Sequence, residues 1–131
     1  MKVVLDASVG IMLAVANENK KLQDIVSKAE WVFVPHLYGF EIANTIWKYA
    51  KAKIWQEEEC ETVLQRALSL PDEYIASKIL ASEALALAQQ QSHSAYDMFY
   101  LVLARRYNAL LATLDKKLAK IAATINIKII T

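Results

Sequence analysis

The sequence predicts an α/β fold with a central, mostly parallel sheet of four to five strands flanked by helices. Two patterns carry that prediction: short, branched apolar runs recur along the chain, and amphipathic segments of helical spacing separate them. Strands covered on both faces read as continuous apolar runs, the habit of parallel sheets. No repeat, low-complexity stretch or linker interrupts the 131 residues, so one domain over residues 1–131 is expected.

Val3 to Leu5 is short, branched and apolar and predicts the first strand, after which Asp6-Ala7-Ser8 offers two N-caps for a helix through Val15. A polar break at Asn17-Glu18-Asn19 precedes a second helix, roughly Lys21 to Ala29, with Leu22, Ile25 and Val26 at helical spacing. Trp31 to Val34 reads as the second strand, closed by Pro35, which cannot donate the next ladder bond. The helix from Leu37 to Ala52 spreads Phe40, Ile42, Ala43, Ile46, Trp47, Tyr49 and Ala50 over more than one stripe. Two of its sides should therefore meet apolar neighbours, one of them in another chain.

Gln56-Glu57-Glu58-Glu59 puts acidic charge where the macrodipole favours it and opens a helix to Leu70, ended by Pro71-Asp72. Glu73-Tyr74-Ile75 reads as a short strand, and Ser77 as the cap of a helix running to Gln91. Ser92-His93-Ser94 breaks the pattern, and Ala95 to Tyr107 resumes it. A strand over Leu110 to Thr113, a helix over Asp115 to Ala123 and a last strand over Ile127 to Ile130 complete the expectation.

Fifteen basic against fourteen acidic residues leave a net charge of +1, so no strong basic field announces nucleic acid, and any such contact must rest on local patches. The apolar share is 56% with the six Tyr counted and stays slightly above the usual level of about 45–50% when they are traded for the two Gly, which implies surface left for a homodimer or a partner protein. Cys60 is alone, which excludes an internal disulfide and a cysteine-based zinc site. The first apolar run is too brief for an export signal and ends in a charge, and nothing approaches the ~18 apolar residues of a membrane span. A cytoplasmic location with no membrane contact is expected.

Asp6, Glu41, Asp97 and Asp115 fall where strands end or helices begin. Singly, each has an ordinary reading: Asp6 and Asp115 as helix caps, Asp97 as a first-turn charge, Glu41 as a solvated surface charge. Jointly they mean more, because open parallel sheets bind ligands outside the carboxyl ends of their strands, where Asp6 and Asp115 both fall. Like charges gathered there repel one another, and a divalent cation with hard oxygen ligands is the natural occupant. Such a site suits metal-dependent phosphate chemistry.

Val4-Leu5-Asp6-Ala7-Ser8, Pro35 through Glu41-Ile42-Ala43-Asn44, Ala95-Tyr96-Asp97 through Ala104, and Leu111-Ala112-Thr113-Leu114-Asp115-Lys116-Lys117-Leu118 together resemble the PIN domain of the VapC type. The resemblance spans Lys2 to Ile130. It implies a three-layer α/β fold and a Mg²⁺- or Mn²⁺-dependent endoribonuclease, commonly the toxin of a pair restrained by a cognate antitoxin. Carried over by residue, Asp6, Glu41, Asp97 and Asp115 match the family's acidic metal site. Ser8 and Thr113 match the hydroxyls that accompany it, and Ser94 matches a hydroxyl one turn before Asp97. Two departures stand out: Lys117 occupies a position where some members carry another acid, and Asn108 a turn where glycine is frequent, a conformation that Asn tolerates.

The resemblance assigns Asp6 and Asp97 to direct ligation, Glu41 and Asp115 to ligation directly or through water, and leaves a 5′-phosphate and a 3′-hydroxyl after attack by water. His93 and His36 read as loop or capping residues, since neither has a second His or Lys visibly arranged with it. Lys48 and Lys51 after Glu41, Arg105 and Arg106 after Asp97, and Lys116, Lys117 and Lys120 after Asp115 are candidate RNA contacts, or else solvated helix faces. Tyr38, Tyr96 and Tyr100 have rings that can stack on bases, Tyr100 at a spacing that also suits the core. Trp47 and Trp55 suit either core packing or the anchoring of an antitoxin or second subunit.

Two other readings compete. A receiver-like phospho-acceptor domain would share the fold class but wants an acidic pair after the first strand, where only Asp6 stands. A vestigial nuclease fold serving as an RNA-binding or scaffolding protein would not need all four acidic positions filled.

Overall fold

The computed structural model describes residues 1–15 and 19–130. Asn17 and Glu18 of the expected polar break lie outside the described residues; Asn19 caps the next helix by accepting from the Leu22 N–H at 3.1 Å. The strands are β1 (Lys2–Leu5), β2 (Trp31–Pro35), β3 (Glu73–Ile75), β4 (Leu110–Ala112) and β5 (Ile129–Ile130). The helices are α1 (Ala7–Val15), α2 (Lys20–Lys28), α3 (Leu37–Lys51), α4 (Glu57–Ser69), α5 (Ala81–Gln91), α6 (Ala95–Tyr107) and α7 (Lys116–Thr124), with a 3-10 turn over Ser77–Leu80.

All five strands are parallel, in the order β3-β2-β1-β4-β5. The chain builds outward from β1 to β3, then returns to the other side of β1 for β4 and β5. The reversal lies between β1 and β4, where an open sheet leaves its crevice. A receiver-type sheet instead sets strand one between strands two and three, so that reading is overturned.

Val3, Val4 and Leu5 are fully buried, with Val4 flanked in register by Phe33 and Leu111. Branched and aromatic side chains fit this pleated, doubly covered surface. On one group of helices α1, α3 and α4 pack together; on the other α5 packs on α6, and α6 lies against β1, β2 and β4. Met98, Tyr100, Leu101, Val102, Leu103 and Ala104 are all buried, so α6 is enclosed on most sides and holds its first turn rigidly.

Gly10 serves this packing directly. A Cβ there would land on the hydroxyl of fully buried Tyr38, whose Oη donates to the Ala67 carbonyl at 2.6 Å.

Two expectations are amended. Ser77 does not cap its own helix: a 3-10 turn precedes α5, and Ser77 Oγ accepts from the Leu37 N–H at 3.1 Å, supplying α3 with the cap that His36 does not. The last strand begins only at Ile129, because Asn126 adopts a left-handed φ of 62° and the Ile127 N–H remains bonded to the Ala122 carbonyl. On α3, Tyr38, Ile42 and Ile46 are buried, whereas Phe40 is 74% exposed and Trp47 56%, so the apolar side expected to meet another chain stands open in this one. Among the described residues no helix is long and apolar enough to cross a membrane.

Candidate active site

The site grows from the register of two neighbouring strands. Leu5 pairs with Ala112, so the next residues, Asp6 and Thr113, leave the sheet at the same edge. Of the two possible caps, Asp6 takes the role: its Oδ1 accepts from the Val9 N–H at 3.1 Å and from Ser8 Oγ at 2.5 Å. Thr113 Oγ1 donates to Asp6 Oδ2. Both hydroxyls also accept, Ser8 from the Leu114 N–H at 3.2 Å and Thr113 from the Asp115 N–H at 3.0 Å. Asp6, only 5% exposed, is thereby laced to the loop that carries Asp115.

Asp115 caps α7, its Oδ1 accepting from the N–H groups of Lys117 at 2.9 Å and Leu118 at 3.1 Å. Glu41 comes from the second turn of α3, and its Oε1 accepts from Tyr100 Oη at 2.6 Å. Asp97 comes from the first turn of α6, with His93 Nε2 3.6 Å from its Oδ2. Ser94 caps α6 by accepting from the Tyr96 N–H at 3.4 Å and bonds to no carboxylate.

Pairwise charge interactions link the four carboxylates into a ring: the Asp115 charge acts on both Asp6 and Asp97, and the charges of Asp97 and Asp6 act on Glu41. Burial holds the Asp6 carboxyl above its usual range; bonds from Ser8, Thr113 and the Val9 N–H work against that, and the Asp115 charge adds to it. Burial also raises Glu41, with Tyr100 opposing and the Asp97 and Asp6 charges reinforcing. Asp97 is raised chiefly by burial, with His93 opposing and Asp115 reinforcing. Among the described residues no Lys or Arg forms an ion pair with any of the four.

The donors are therefore hard oxygens, partly desolvated, mutually repelling and, among the described residues, without a Lys or Arg to neutralise them, which suits Mg²⁺ or Mn²⁺. In this conformation no three of the described His, Cys, Asp and Glu side chains are grouped so as to hold one ion together.

The predicted basic residues divide. Lys48 is exposed two turns along α3 from Glu41, on the same side of the helix. Lys116 is exposed beside Asp115, and Lys51 is drawn over the Trp47 ring at 5.2 Å from its centroid. Arg105 does not accompany Asp97: two turns of α6, about 12 Å, carry it to the other edge of the sheet. There it faces Glu83 at 3.4 Å and lines a 320 Å³ cavity with Lys2 and Lys128.

Buried Tyr38 and Tyr100 offer no face to a base, while Tyr96, beside Asp97, is 65% exposed. Sequence reasoning read Tyr100 as a stacking or core ring and His93 as a loop or capping residue, and placed neither beside a carboxylate of the ring. Tyr100 stands one turn after Asp97, and a buried phenol needs a partner for its hydroxyl, which was the available signal. Burial first, and then the Glu41 charge, push that phenol far above its usual range and keep it a donor.

The PIN domain family model matches residues 3–124. Ribonuclease VapC3 from Pyrobaculum aerophilum is 32% identical over 126 residues, spanning 92% of this chain and 94% of that protein. The crystal structure of PAE2754 from Pyrobaculum aerophilum superposes with a TM-score of 0.77 at 22% identity, covering 98% of this chain and 83% of that one. That of VapBC2 from Rickettsia felis, bound to a DNA fragment from their promoter, gives a TM-score of 0.70 at 15% identity, covering 99% and 98%. At these identities the two crystal structures speak for the fold, and they bear out the layered α/β architecture expected from the sequence.

Proposed function

The chain belongs to the PIN domain family, and we propose that it is a Mg²⁺- or Mn²⁺-dependent endoribonuclease, the toxin of a toxin–antitoxin pair. The observation that carries this reading is the ring of four carboxylates at the β1–β4 crevice, without a Lys or Arg partner among the described residues. The 32% identity to a protein named as a ribonuclease supports the reaction class. The fold shared with VapBC2 supports an antitoxin as partner. Exposed Phe40 and Trp47 on α3 supply apolar surface for that partner or for a second copy of the chain. The same reading locates the protein in the cytoplasm with its RNA.

Asp6 and Asp97 would hold the cation, with Glu41 and Asp115 joining directly or through water. A Mg²⁺ or Mn²⁺ held there would supply charge neutralisation for the phosphodiester and a more acidic water for in-line attack, chemistry that would leave a 5′-phosphate and a 3′-hydroxyl. Ser8 and Thr113 hold Asp6 in one rotamer, so little reorganisation accompanies binding. One carboxylate of the ring orients the attacking water. Exposed Lys48 and Lys116 hold backbone phosphates on either side of the ring, with Lys51 further along α3. Tyr96 offers its ring to an unpaired base beside the scissile bond.

The test is cleavage of an RNA panel by the purified chain with Mn²⁺, with EDTA, and as Asp6→Asn and Asp97→Asn. Cutting by the unmodified chain with Mn²⁺ alone is expected. Equal cutting in all four samples would overturn the metal mechanism.

A further inference from the structure

We infer that Tyr100 is a positioning residue whose hydroxyl fixes Glu41, so that this carboxylate offers its other oxygen to the ring. The inference rests on the nuclease reading and adds to it a residue outside the carboxylate set.

Tyr100 is 1% exposed, and its ring packs in the core of α6, where a phenylalanine would fill the same space. Packing therefore explains the ring and leaves the hydroxyl unexplained. A buried hydroxyl is costly unless it is bonded, and the single hydrogen bond of this one among the described residues is to Glu41 Oε1, at 2.6 Å. Tyr38 is the internal contrast: an equally buried phenol, it donates to the Ala67 carbonyl of the backbone and, among the described residues, hydrogen-bonds no member of the ring.

The consequence for Glu41 is specific. Its side chain is long enough to sample several rotamers on a helix surface, and the bond removes that freedom. Oε1 is engaged, while Oε2 takes no hydrogen bond among the described residues. Tyr100 also lies one turn after Asp97 on α6, so one bond spanning 59 positions sets both the rotamer of Glu41 and its spacing from Asp97. Those two carboxylates are a repelling pair of the ring, and without a tether Glu41 would swing outward into water.

The experiment is a Mn²⁺ titration of the purified chain followed by thermal melting, with RNA cleavage in parallel, on Tyr100→Phe, Glu41→Gln, the double variant and Tyr38→Phe. Tyr100→Phe should melt near the unmodified chain in EDTA. Its Mn²⁺ half-saturation should rise about tenfold or more, the usual effect of losing a bond to a charged group, and kcat should fall with the KM for RNA unchanged. In the Glu41→Gln background the same substitution should leave the half-saturation unmoved, because the group it positions is already altered. Tyr38→Phe should keep the unmodified Mn²⁺ response.

An unmodified response in Tyr100→Phe, an equal loss in both backgrounds, or the same loss in Tyr38→Phe overturns the inference while the nuclease reading stands. An unmodified chain that neither binds Mn²⁺ nor cuts RNA overturns that reading, and the inference with it.

Discussion

Thr113 donates its hydroxyl to Asp6, joining the end of β4 to the end of β1 inside a nearly water-free pocket. The same oxygen accepts from the Asp115 N–H, so one side chain organises two carboxylates. Thr113→Val keeps the shape and removes both bonds, leaving a buried carboxylate short of a donor. A loss of about 1–3 kcal/mol in urea unfolding is expected, together with weaker Mn²⁺ binding.

The raised carboxyls of Asp6, Glu41 and Asp97 give the metal-free protein a characteristic response to pH. A group whose pKa is higher folded than unfolded binds its proton more tightly in the native state. The stability it contributes is full below the ordinary values of 3.8 for Asp and 4.5 for Glu, and is lost as pH rises through the raised folded values. In EDTA, Tm should therefore change less with rising pH in Asp6→Asn than in the unmodified chain, the difference appearing across that window. Mn²⁺ should restore stability above the window, where the ring is ionised. Parallel Tm–pH profiles for the two proteins would refute this.

Gly10→Ala drives a methyl group into the Tyr38 hydroxyl and forces that ring off the Ala67 carbonyl. Overpacking of this kind costs about 1–3 kcal/mol. Tyr38→Phe should relieve part of it, so the double variant should unfold at higher urea than the sum of the single changes predicts.

Lys48 and Lys116 are exposed on the helices that carry or follow Glu41 and Asp115, whereas Arg105 faces Glu83 at the far edge of the sheet. Lys48→Ala and Lys116→Ala should each raise the KM for RNA and reduce the salt slope of binding by about one, as expected for one lost phosphate contact. Arg105→Ala should move neither. Fluorescence anisotropy over a salt series with an uncut RNA separates the three.

What was legible in the sequence followed from local chemistry. β1 and β2 declared themselves because strands covered on both faces are apolar without interruption, and Asp6 and Asp115 because strand ends and helix caps are local events. The missed features are long-range. Nothing near Ser77 says that its hydroxyl serves the Leu37 N–H, 40 positions away, and nothing near Tyr100 names Glu41 as its partner. Arg105 misled because closeness along a helix is not closeness in space: two turns took it from one edge of the sheet to the other.

The tie between Asp6 and Thr113 spans 107 positions, and β1 occupies the middle of the sheet with β4 as one of its two flanks. A ribosome making this chain has displayed Asp6 and Glu41 long before Asp97, Thr113 and Asp115 emerge. A nascent or prematurely terminated polypeptide thus lacks half the ring, and synthesis itself delays the onset of whatever chemistry the finished ring performs.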